Sequence, residues 1–199
     1  MASIISREQA ERILEPYIEA IGLCLWRAWA SWEATPFPIS ITPRARANLV
    51  YDYAVAEAWR TLNGVNGLTL SESRGFLLVS VEDKLLLRLK KFRRSLRTSG
   101  IPTGQQLEFA SQQLTIPGMP PMTKLVAGYL LDAFQLRIDR VAITCSVGTR
   151  IIWTLNIPKP AAGAVVPLQT ALQSAPVSPF PSRVRSTRTR KRESEEKGS

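Results

Sequence analysis

The chain has 199 residues, with 26 Lys and Arg against 16 Asp and Glu for a formal charge of +10, no histidine, two cysteines and 45% apolar side chains. Without histidine there is no Ser-His or Cys-His nucleophile pair, no imidazole general base and no HExxH zinc helix. Cys24 and Cys145 are too few for a four-cysteine zinc site and too sparse for a disulfide-built scaffold, so a reduced, cytoplasmic chain is expected.

The first segment carries charges and no long apolar run, unlike a signal peptide, and the uncharged stretch 160–182 is broken by prolines, so no membrane segment is expected. Ser6 with Gln9 three positions on has capping-box spacing. Apolar residues then recur at helical intervals from Ile13 to Trp32, giving one helix kinked at Pro16 or two shorter ones. The proline-bearing segment 35–43 must be extended. Thr42 as N-cap and Pro43 at the first helical position open a further helix through Leu62, which Asn63-Gly64 ends.

The period then changes. Residues 67–71 and 76–81 predict strands; in 85–92, Leu85, Leu89 and Phe92 with Leu96 fit one helical face while Leu85, Leu87 and Leu89 fit one strand face, and the strand-like run before it favours a hairpin turning at Glu82-Asp83. Thr103 caps a short helix to Leu114, and 116–121 is a proline loop. Residues 125–131, 140–145 and 150–157 are apolar runs of strand length forming an antiparallel meander. The expected fold class is therefore α+β: N-terminal helices, then a mostly antiparallel sheet with one intervening short helix and a disordered C-terminal tail. One domain over 1–157 is expected, then a linker over 158–182 with six prolines and a basic tail over 183–199.

Charge is unevenly placed. Residues 1–80 hold 7 cations and 8 anions, residues 81–158 hold 11 and 5, and residues 159–199 hold 8 and 3. Lys84, Arg88, Lys90, Lys91, Arg93, Arg94 and Arg97 form the densest run, with leucines and Phe92 interleaved; Arg183, Arg185, Arg188, Arg190, Lys191 and Arg192 form a second in the tail. If the leucines face the core, most of the first run faces one solvated surface. That surface either solubilises the chain or neutralises phosphates, with salt-dependent affinity and little sequence readout.

Other constellations point elsewhere. Glu72, Glu82 and Lys84 have the residue types of a metal-dependent nuclease site, where two carboxylates hold a divalent ion and a lysine polarises water; a polar hairpin turn explains them equally. Trp26, Trp29, Trp32 and Trp59 lie on the first helices as core residues or as a groove for a protein partner. Both cysteines read as buried apolar positions. No GK[ST] phosphate loop occurs, and no cofactor is expected.

The strings LRLKKF (87–92), IPTGQQLEF (101–109) and LTIPGMPPMTKLVAGYLLD (114–132), closed by VAITC and IIWTLNI, resemble an uncharacterised bacterial family. That family is encoded beside helix-turn-helix repressors and ImmA/IrrE-type peptidases, in mobile-element or toxin-antitoxin-like cassettes. The resemblance spans 76–157 and implies a regulatory setting without implying a reaction. The expectation is a non-enzymatic regulatory or interaction protein that contacts nucleic acid or an acidic protein partner.

Overall fold

The computed structural model describes residues 4–37, 39–73, 75–98, 103–114 and 120–160. The capping box forms as expected: the Gln9 amide donates to Ser6 Oγ at 3.3 Å, and the Ser6 amide donates to Gln9 Oε1 at 3.1 Å. It opens α1 (Arg7–Leu14). Pro16 has no amide hydrogen to continue the helical ladder, so the chain takes the two-helix alternative, and α2 runs over Ile18–Ala34. Thr42 accepts from the Ala45 amide at 3.1 Å and Pro43 occupies the first turn of α3 (Pro43–Leu62), which packs along α2. Extended backbone at Asn63 ends it.

The strands β1 (Leu68–Ser73), β2 (Phe76–Val81) and β3 (Leu85–Lys91) follow, then α4 (Gly104–Ala110), then β4 (Thr123–Leu131), β5 (Ile138–Val147) and β6 (Arg150–Ile157). They form one six-stranded sheet in chain order. Every junction is antiparallel except β3–β4, which is parallel with Leu87 opposite Leu125. A parallel junction needs a crossover, and the α4 segment supplies it. The turn predicted at Glu82-Asp83 forms with positive φ at both residues, +52° and +49°.

Alternation along the strands sorts side chains to two faces. Leu77, Val79, Val81, Leu85, Leu87 and Leu89 join the main core beneath α1–α3. Leu78 and Leu86 point the other way, where Phe109 of α4 and Met122 cover them in a second, smaller core. The leucines of β3 thus serve both faces rather than one. The helix expected over 103–114 ends at Ala110, because Gln112 adopts φ of +64° and gives its side chain to the sheet. From residue 161 on, the expected linker and tail lie outside the described residues.

Candidate anion-binding cleft

Because Leu85, Leu87 and Leu89 turn to the helices, the intervening Leu86, Arg88 and Lys90 turn to the α4 face. Arg88 is only 4% exposed there. Its guanidinium carbon lies 4.0 Å from the centre of the Phe76 ring and 5.1 Å from that of Phe109. It makes no hydrogen bond or ion pair among the described residues, and its Nε is buried without a partner. Burial holds its pKa below the ordinary guanidinium value, yet a guanidinium stays protonated at any physiological pH. The ion pairs among the described residues join Arg7 to Glu11, and Arg27 and Arg60 to Glu57, all in the first helices.

The hydrogen-bonded register of β2 with β3 ends at Val79 opposite Leu87, and beyond it the Leu77 amide donates instead to the Tyr51 hydroxyl at 3.0 Å. Lys90 Nζ sits by this opening, 4.8 Å from the Phe76 ring centre and 6.0 Å from that of Tyr51. Burial, and then the charge of Arg88, lower the Lys90 pKa. Lys91, on the opposite face, is lowered by burial and then by Arg46.

Two concavities meet at Lys90 and Gln106, which line both. A cavity of about 440 Å³ beneath α4 has Arg88, Lys90 and Arg97 in its lining, with Leu107, Phe109 and Val126 among the apolar walls and no carboxylate among its described lining residues. Beside it, a cleft of about 880 Å³ is lined by Arg44, Lys90, Lys91, Arg93 and Arg94, with Asp132 the one carboxylate among its described lining residues. Arg44 lies in the first turn of α3, a turn without an acidic residue, so the helix dipole adds to the positive potential. Arg46 and Lys91 both donate to Gln135 Oε1 at 3.3 Å. The Arg93–Arg97 loop is closed by a bridge between Phe92 and Thr98 and by the Arg93 amide donating to the Arg97 carbonyl at 2.8 Å.

The seven-residue cationic run does not form one face. Arg88 and Lys90 face α4, Lys91 faces the helices, and Arg93, Arg94 and Arg97 are exposed beyond the strand. Lys84 is exposed at the other end of β3, roughly 20 Å away for a seven-residue strand. Arg183, Arg185, Arg188, Arg190, Lys191 and Arg192 lie outside the described residues. Sequence reasoning missed Arg44 and Arg46, which belong to the near-neutral front half, and the rings of Phe76 and Phe109. The one available signal was a pair of arginines where a helix start favours acids.

Glu72 is opposite Leu77, whereas Glu82 follows Val81, which is opposite Leu68; the carboxylates of the nuclease alternative sit at opposite ends of the β1–β2 hairpin. Glu82 instead accepts the Tyr17 hydroxyl at 2.5 Å. Among the described residues no group of three or more potential metal ligands comes together. Trp29 is buried, Trp26 and Trp32 are half-buried and Trp59 is 37% exposed. Both cysteines are buried, and desolvation pushes the Cys24 thiol up to about 12 and the Cys145 thiol up to about 11. Among the described residues no helix is long and apolar enough to cross a membrane. Comparison of the chain with protein-family models, curated proteins and solved structures gives no match.

Proposed function

We propose that this protein is a non-enzymatic binding protein whose cationic cleft docks on the phosphate backbone of a nucleic acid. The observation that carries this is the convergence of Arg44, Lys90, Lys91, Arg93 and Arg94, from α3, β3 and the loop after it, on one cleft with a single described carboxylate in its lining. Cations gathered from distant parts of a chain repel one another, and a phosphate backbone removes that repulsion while releasing its own counterions. Solubility alone needs charge spread over the surface rather than gathered in a concavity.

Such docking positions a protein on nucleic acid without reading sequence, since phosphate contacts carry none. A regulatory role, in keeping with the resemblance over 76–157, then depends on what else the protein holds. The six tail cations between Arg183 and Arg192 would extend the footprint along the backbone.

The test is binding to duplex DNA and to RNA at low and at moderate salt, for the full chain and for a chain ending at Pro160. The expected result is salt-sensitive binding by both, weaker in the shorter one. Absence of binding by the full chain at low salt would defeat the proposal; salt-sensitive binding to an acidic polypeptide alone would move the cleft to a protein partner.

A further inference from the structure

The cavity beneath α4 is chemically distinct from the cleft, since Arg44, Lys91, Arg93 and Arg94 take no part in it. Its floor holds a cation that no described residue neutralises. Arg88 is 96% buried, counting from its 4% exposure, and its Nε finds no acceptor. Taking a guanidinium out of water without a counter-charge is unfavourable, and the rings of Phe76 and Phe109 recover only part of that. An apolar side chain would fill the same position without that cost, as Leu86, two residues earlier on the same face, does in the apolar cluster with Phe109. A buried cation that packing does not require, and that no neighbour among the described residues satisfies, is an anchor for an anion from outside.

We propose that this cavity binds a small organic anion, a phosphate or carboxylate group borne on an apolar ring, with Arg88 as the anchoring charge and Lys90 and Arg97 as its more exposed partners. About 440 Å³ lies in the range of small-molecule sites. A guanidinium offers donors in a planar fork that matches two oxygens of a phosphate or carboxylate. Thr144 and Ser146 on β5 bring hydroxyl groups to the lining, so a polar head has neutral partners beside the charged ones. Leu107, Phe109, Val126 and Ile151 give the body of the ligand an apolar wall. Among the described lining residues nothing repels an anion, because none is acidic.

The test uses the full chain with phenyl phosphate, benzoate, inorganic phosphate and the neutral ring compound benzyl alcohol, followed by calorimetry and by amide chemical shifts. Phenyl phosphate or benzoate is expected to bind saturably and more tightly than inorganic phosphate or benzyl alcohol. Arg88→Met is expected to weaken that binding more than about tenfold, the scale of a charge-assisted hydrogen-bonded pair. Should Arg88→Met fail to fold, Lys90→Met combined with Arg97→Gln decides: lowered affinity supports the site, unchanged affinity overturns it. Absence of saturable binding by either ring anion, or binding unaffected by Arg88→Met, also overturns it. Loss of the nucleic-acid proposal with Arg88-dependent binding of phenyl phosphate retained would leave this site standing.

Discussion

The guanidinium of Arg88 rests 4.0 Å from the centre of the Phe76 ring, on the face of the sheet turned away from the three N-terminal helices. This contact lets a strand carry a charge at a position that alternation buries. It does not supply a counter-charge, so the unliganded protein retains an electrostatic cost at Arg88. Arg88→Met keeps the volume and removes the charge, and is expected to leave stability unchanged or raise it by about 1–2 kcal/mol in anion-free buffer. Urea unfolding measures this; a loss of more than about 2 kcal/mol would mean that Arg88 holds the fold together.

The Tyr17 hydroxyl donates to the Glu82 carboxylate at 2.5 Å and lies 3.0 Å from the Asn66 carbonyl oxygen, tying the start of α2 to the turn between β2 and β3. Glu82 has φ of +52°, unfavourable for a residue with a side chain, and this bond together with its amide donating to the Gly67 carbonyl at 2.7 Å holds it there. Tyr17→Phe is expected to cost roughly 1–2 kcal/mol.

The same bond fixes a pH dependence. Hydrogen bonding to Glu82, then burial, raises the Tyr17 pKa to about 12, above the unfolded value of about 10. The folded state therefore holds this proton longer than the unfolded state does. The stabilisation is fully present below about pH 10 and is lost as the pH rises toward about 12. Unfolding free energy followed across that window should fall less steeply in Tyr17→Phe than in the parent chain; equal slopes would contradict the assignment.

Gly128 of β4 faces Lys90 across the parallel junction, and the Phe92 ring lies over it. A Cβ there would meet the Lys90 carbonyl oxygen, which belongs to the backbone, as well as the Phe92 ring at 2.7 Å. Neither the strand nor the buried Phe92 can yield without moving the loop that carries Arg93, Arg94 and Arg97. Gly128→Ala is expected to destabilise the chain by about 1–3 kcal/mol and to weaken nucleic-acid binding, measured by thermal unfolding and by titration.

Gln112 shows the limits of reading the sequence. Its side chain accepts from the Lys124 amide at 2.7 Å and donates to the carbonyls of Lys124 at 2.8 Å and Ser146 at 2.9 Å, acting as one more sheet partner for β4 and β5. Local pattern extends a helix through this position, because helical spacing sees only neighbours along the chain. Gln112→Ala is expected to cost roughly 2–3 kcal/mol by leaving backbone groups unpaired, and to loosen α4 above the cavity, seen as faster amide exchange in Gly104–Ala110.

Where the determining contacts are local, the sequence was legible. The Ser6 and Thr42 caps, the break at Pro16 and the turn at Glu82-Asp83 rest on residues within a few positions of one another, and the closing meander joins strands that follow one another directly in the chain. The parallel junction of β3 with β4 was not legible, since the pairing of Leu87 with Leu125 spans the whole α4 crossover. The site was half legible. The density of cations in 84–97 marked the region, but alternation split it between faces and buried Arg88, and it took the fold to bring Arg44 and Phe76 beside Lys90.

The most direct measurement is the slope of the logarithm of nucleic-acid affinity against the logarithm of salt concentration, for the full chain and for Lys91→Gln/Arg93→Gln/Arg94→Gln. Each cation that neutralises a phosphate adds about 0.9 to the magnitude of that slope on duplex DNA. If the cleft docks on the backbone, removing three of its cations lowers the slope by roughly 2–3 and weakens binding across sequences alike. An unchanged slope, with the variant folded and binding as its parent does, would contradict docking through this cleft.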